Sequence, residues 1–330
     1  MGRMNLLSNC INQATGAVEG FCIVRSVQVK SNVKGADYLD FLLADAGGEV
    51  NAKLWDYSTA VHGLYSVGDI IKVRGTVNLW KDVEQLKIDR IRHKREGDTV
   101  DLSSLVASAP VDGDEIYNRL YELAGSFKDG ELARLTQYLL RTRKQKLINY
   151  PAALRLHHAM RCGLMYHTGT MLEVAKKVVE VYKPLYPELC EELIYCGIIL
   201  HDIAKTEEFS VGELGVATAY SMRGQLIGHI GMGVSMVEQA AAELQIPEET
   251  TTLVSHILLS HHGQADFGSP KPPMFPEAEI VSDIDMLDAR LFEMFDALGT
   301  VEIGDFTDRQ WAMDNRQLYR HGFGTINSAE

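Results

Sequence analysis

No stretch of the 330 residues reaches the roughly 18 consecutive apolar residues that a membrane-spanning helix needs. The apolar run from Tyr195 to Leu200 stops at His201-Asp202. Residues 1–7 are too short for a signal-peptide core, and Leu6 breaks the myristoylation pattern. Cysteine is scarce: Cys10, Cys22, Cys162, Cys190 and Cys196 form no CxxC pair. An odd, scattered set argues against a disulfide framework and reads as reduced, buried thiols. Internal repeats and low-complexity tracts are also missing. These absences lead to the expectation of a cytoplasmic protein with no membrane partner. Basic charge is in deficit, with 32 Lys and Arg against 45 Asp and Glu. That balance excludes a chain that coats nucleic acid by bulk attraction.

What is present is ordinary for a globular protein, with 46% hydrophobic and 23% charged residues. The length suits about two domains. Segments 20–29, 38–43, 50–55, 70–77 and 83–88 alternate as strands do, and a short helix fits 58–64 between the third and fourth. The expected fold is therefore α+β and multidomain. A five-stranded OB-fold β-barrel over 16–95 comes first. A linker follows over 96–114, rich in Gly, Asp, Ser and Pro. From 115 to 330 the pattern is helical, with Leu120, Leu123 and Phe127 and then Leu132, Leu135 and Leu139 at helical spacing. The charge is divided unevenly. Residues 15–96 carry 12 basic and 11 acidic side chains, whereas 97–330 carry 19 and 34.

The helical part holds an ordered series of potential metal ligands. His201 and Asp202 end an apolar run and can grip one divalent ion together. Lys205 lies one helical turn on, where a cation would face a phosphate oxygen beside the metal. His167, His229, His256, His261, His262 and Asp285 surround this pair in sequence. Any one of them alone would read as a satisfied helix histidine or a solvated acid. The series His, His-Asp, His, His-His, Asp over about 120 residues reads as a metal site. A His/carboxylate set without thiolates suits Mn²⁺ or Fe²⁺.

On these residues the helical part resembles the HD-domain phosphohydrolases. The whole chain resembles the YhaM family of 3′-to-5′ exoribonucleases, from about 16 to 320. The most specific pieces are His157-His158-Ala159, Gly163-Leu-Met-Tyr-His-Thr168, His201-Asp-Ile-Ala-Lys205, Gly224-Gln-Leu-Ile-Gly-His-Ile230, His256-Ile-Leu-Leu-Ser-His-His-Gly263, Gly268-Ser-Pro-Lys271 and Ile284-Asp-Met-Leu-Asp-Ala289. The resemblance implies that His167, His201, Asp202 and Asp285 hold one ion. It implies that His229 and His261 or His262 serve a second, with Asp202 and Lys205 as catalytic residues. It also implies a divalent cofactor, Mn²⁺ first, with Fe²⁺, Co²⁺ or Mg²⁺ as alternatives. The implied activity is 3′-5′ hydrolysis of single-stranded RNA, with DNA as a further substrate, to nucleoside 5′-monophosphates.

Candidate substrate contacts in the helical part are His157, His158 and Arg161, expected on the same helix as His167, and Lys271 in a proline-rich loop. His157-His158 reads equally as a solvated helix start, and the loop as an exposed connector. In the barrel, Trp80 with Lys81 is the leading exposed pair. Tyr38, Phe41, Trp55, Lys53, Lys72 and Arg74 are further candidates, and Trp55 reads more readily as core. Tyr38 and Phe41 have opposite strand parity, so only one faces outward. The basic run 141–146 is either an RNA guide or a solvated helix face. Two other functions compete: an HD phosphohydrolase of nucleotides or cyclic dinucleotides, and a single-strand-binding regulator with an idle HD part. The oligomeric state is left open, a homo-oligomer included.

Overall fold

The structure is a computed structural model that describes residues 11–12, 17–46, 48–80, 83–100, 104–154, 158–212, 215–264 and 268–324. It divides into two compact units. One holds the described residues up to Ser108 with Gly212, and the other those of 109–211 and from 215 onward.

The first unit is built on β2 (Ala17–Ser31), whose 15 residues serve two partners. Its first half pairs with β5 (Ile70–Trp80), and its second half with β3 (Asp37–Asp45), across a bulge between Val24 and Ser26. β3 pairs with β4 (Gly48–Leu54), β4 runs parallel to β6 (Val83–His93), and β6 returns to β5. The order β2-β3-β4-β6-β5-β2 closes a five-stranded barrel. The two-residue β1 (Ile11–Asn12) adds to β2, and α1 (Thr59–His62) lies between β4 and β5. This is the OB-type barrel expected from the alternation. Leu39, Phe41, Leu43, Val50, Ala52, Leu54, Ile71, Val73, Leu86 and Ile88 fill it at period two. Gly75 sits at the β5 bulge, where a Cβ would lie 2.1 Å from the Lys87 carbonyl oxygen. Only glycine lets these two backbones approach so closely.

The stretch read as a linker carries fixed contacts. Arg92 makes a two-pronged ion pair with Asp98, and the Ala46 N–H donates to the Ser104 carbonyl. Leu105 and Val106 are buried. Helix α2 (Gly113–Gly125) starts slightly before the expected 115, because Asp112 caps the N–H groups of Asp114 and Glu115.

The second unit continues with α3 (Gly130–Leu147), α4 (Gly163–Tyr182), α5 (Glu191–Leu200) and α6 (Lys205–Glu208). It ends with α7 (Met222–Leu244), α8 (Glu248–Ser260) and α9 (Pro276–Leu298). Every residue of α5 from Leu193 to Leu200 is buried, which makes it the central helix. It packs against α3, α4, α8 and α9. Helices dominate this unit, as the pattern implies, with one short addition. Phe209–Val211 (β7) and Ala217–Tyr220 (β8) form an antiparallel hairpin. Such short strands leave too little alternation to read from sequence. Among the described residues no helix is long and apolar enough to cross a membrane.

Phe41 is buried and Tyr38 is half-buried on the opposite face of β3. Phe41→Ala is expected to destabilise the barrel by about 3–5 kcal/mol. Tyr38→Ala should cost about 1 kcal/mol or less. Urea unfolding of the full-length variants measures both, and equal losses would contradict this assignment of faces.

Candidate metal centre

Buried helix α5 delivers His201 at its C-terminus. The His201 Nδ1–H donates to the Ile198 carbonyl at 2.7 Å, which leaves the Nε2 lone pair facing inward. That Nε2 lies 3.2 Å from Asp202 Oδ2 and 3.3 Å from His167 Nε2. His167, on the second turn of α4, donates from Nδ1 to Asp288 Oδ2 at 2.6 Å. Its Nε2 is 3.2 Å from Asp285 Oδ1, and α9 carries both aspartates. These separations match neighbouring ligands on one ion, which stand about 3 Å apart at ordinary bond lengths.

A second group faces the other oxygen of Asp202. Asp202 Oδ1 is 3.5 Å from His229 Nε2 and 3.8 Å from His261 Nε2. A ring nitrogen of His262 lies within 4.8 Å of both imidazoles. His261 donates from Nδ1 to the Leu258 carbonyl at 2.7 Å. His229 donates both its backbone N–H and its Nδ1–H to Glu208 Oε1, at 3.0 and 3.1 Å. Gly228 makes this possible: its φ of 76° breaks α7 just before His229 and turns the chain toward Glu208.

Asp202 Oδ1, His229 Nε2 and His261 Nε2 are buried and accept no hydrogen bond. Three acceptors aimed at one another without a donor are costly in a protein interior. A divalent cation between them satisfies all three, so the residues fit a metal.

The electrostatics fit as well. Burial pushes the Asp202 carboxyl up, but Lys205, His201 and His229 outweigh it and hold the group well below the usual carboxylate range. Lys205 Nζ lies 2.7 Å from Asp202 Oδ2. Burial, aided by His262 and His201, holds His261 well below the usual imidazole range, so its lone pair is free for a cation. His167 differs. Burial works to lower it, but hydrogen bonds to Asp285 and Asp288 raise it to about 9. A proton on Nε2 thus stands where a cation would compete for the same lone pair.

The structure gathers His167, His201, Asp202, His229, His261, His262, Asp285 and Lys205. Lys205 is ion-paired with Asp202 and also lines the adjoining cavity. Other expectations are corrected. His158 and Arg161 are not on the His167 helix, because α4 begins only at Gly163 after left-handed residues at His158 and Cys162. His158 is buried and donates from Nε2 to Asp288 Oδ2 at 2.9 Å, behind His167. Arg161 turns to Asn149. His256 accepts at Nε2 from the Met274 N–H, away from the centre. Lys271 is exposed. His157, Lys81 and the side chain of Trp80 lie outside the described residues. Asp288 and Glu208 were missed, although each lies three residues past a named candidate, on the same helical face.

On the barrel surface Trp55 is 38% exposed rather than core. Its ring lies 4.6 Å from that of Tyr38, and Lys53 Nζ stands 5.2 and 5.4 Å from the Tyr38 and Trp55 rings. Phe41 is inside the barrel and offers no outer face.

A closed barrel joined to a helical unit with this buried His/Asp centre defines an OB-fold protein with an HD-type metal domain. The HD domain family model matches residues 164–290, which contain all eight gathered residues. The 3′-5′ exoribonuclease YhaM of Geobacillus sp. (strain WCH70) is 38% identical over 309 residues, covering 94% of this chain and 93% of its own. The chain belongs to the YhaM family of 3′-5′ exoribonucleases. Among solved structures, the second OB-fold domain of replication protein A from Methanococcus maripaludis is 18% identical, with a TM-score of 0.21. It covers 29% of this chain and 96% of its own. A small single-stranded DNA-binding protein from Streptomyces coelicolor is 17% identical, with a TM-score of 0.22, and covers 26% of this chain and 97% of its own.

Asp288 fixes the ring of His167 without facing the ion site. Asp288→Asn is expected to weaken divalent-metal binding by about 10–100-fold while the fold is retained. Calorimetric titration of chelator-stripped protein with Mn²⁺ measures this, and an unchanged affinity would remove Asp288 from the centre.

Proposed function

We propose that the chain is a metal-dependent 3′-5′ exoribonuclease that shortens single-stranded RNA and releases nucleoside 5′-monophosphates. The observation that carries this reading is the buried set of acceptor atoms on both sides of Asp202. Family membership supports the direction and the substrate. His167, His201, Asp202 and Asp285 would hold one divalent ion, and His229, His261 and His262 with Asp202 a second. Mn²⁺ suits the mixed nitrogen and oxygen donors, and Fe²⁺, Co²⁺ or Mg²⁺ are alternatives. Bound there, such ions activate water and stabilise the attacking and leaving oxygens of a phosphodiester.

The chain's own residues do the rest. Lys205 keeps Asp202 ionised and lines the adjoining cavity, where its charge neutralises a phosphate oxygen. Glu208, Asp288 and the carbonyls of Ile198 and Leu258 hold the imidazoles in their ligating tautomers. The Tyr38–Trp55 pair with Lys53 offers a single strand a stacking face beside a cation.

With Mn²⁺ and 5′-labelled RNA, a ladder descending from the 3′ end is expected, and a 3′-blocked RNA should resist. Asp202→Ala should lower the rate by about a hundredfold or more. No ladder, with rapid cleavage of a mononucleotide or cyclic dinucleotide instead, would refute the exonuclease reading. Trp55→Ala is expected to raise KM for long RNA by about tenfold and to spare dinucleotide hydrolysis. Equal effects on both substrates would count against the barrel as a strand-holding surface.

A further inference from the structure

A cavity of about 700 Å³ opens against the metal centre, within the size range of small-molecule sites. Lys205, His229, His262, Asp285 and Arg290 line it. Trp311 and Arg316 line it as well, from beyond the HD-matched region, which stops at 290.

The segment bearing Trp311 is held in place. Thr307, Met313 and Leu318 are buried and anchor it. The Gln310 N–H donates to the Arg316 carbonyl at 2.9 Å, and the Arg316 N–H to the Met313 carbonyl at 3.0 Å. Asp314 and Asn315 take left-handed conformations that close the turn. On this fixed turn Trp311 remains 74% exposed. A large flat ring left mostly exposed while it lines a cavity shared with metal-ligating groups is not spent on the core. Stacking on a base is the use that its chemistry suits. The guanidinium groups suit phosphate oxygens in the same way.

We propose that this cavity is the subsite for the 3′-terminal nucleotide of the RNA, with Trp311 stacked on its base and Arg290 and Arg316 facing its phosphate. The subsite rests on the exonuclease reading and deepens it. A ring that reads only a π-face accepts every base. Processing would therefore be largely independent of sequence but dependent on the presence of a terminal base.

The test uses the full chain with Mn²⁺ and two short 5′-labelled RNAs, one intact and one whose 3′-terminal nucleotide lacks its base. In the wild type, removing that base should raise KM about tenfold, with a smaller change in kcat. Trp311→Ala should raise KM for the intact RNA by about the same factor and lose the discrimination between the two RNAs. Trp311→Phe should restore most of it, and Arg316→Ala should raise KM for both RNAs alike. A Trp311→Ala chain that still discriminates overturns the proposal. A wild type that shortens both RNAs equally well overturns the subsite and leaves the exonuclease reading intact. A wild type that shortens neither overturns both.

Discussion

One buried carboxylate organises this protein. Asp202 presents one oxygen to His201 and His167 and the other to His229 and His261. A charge in that position is expensive unless it is matched. Lys205 matches part of it, and the remaining acceptor atoms ask for further positive charge. The helical unit supplies the rigid frame. Its central helix α5, buried from Leu193 onward, sets Asp202 at the middle, and α4, α7, α8 and α9 bring the other donors to it.

The outer partners matter as much as the inner atoms. His167, His201, His229 and His261 each have Nδ1 engaged as a donor, which aims Nε2 at the centre. Glu208 works through a broken helix, because Gly228 alone allows the turn that lets it hold His229 by two bonds. Asp288 holds both His158 and His167, and this pairing keeps its carboxyl at about 2 although burial works the other way. The centre is therefore preorganised by groups that would not themselves touch an ion.

The barrel and the ligand series were legible in the sequence because both are written in spacing. Period-two alternation marked the strands, and residues such as Leu39, Phe41 and Leu43 do point inward. His201-Asp202 at the end of an apolar run marked the centre. What could not be read depends on backbone conformation or tertiary direction. Helical continuity from His158 to His167 failed at two left-handed residues that no periodicity announces. Trp55 looked like core because it follows a strand, but its ring lies outward on Tyr38. Trp311 opens a three-residue 3-10 turn that no sequence periodicity marks, and only its place on the cavity lining gives it meaning.

The net charge takes on a specific sense here. The acidity lies in the helical part, and the barrel is close to neutral. On the proposed reading, strand recognition rests on local stacking and a few cations, and Asp202 and Asp285 of the helical unit serve bound metal. The most direct measurement of this picture is anomalous diffraction at the manganese edge from crystals grown with Mn²⁺. Two peaks are expected, one between Asp202 and the His167–His201–Asp285 side and one between Asp202 and His229, His261 and His262. Crystals with manganese only on exposed carboxylates, and none beside Asp202, would contradict the account.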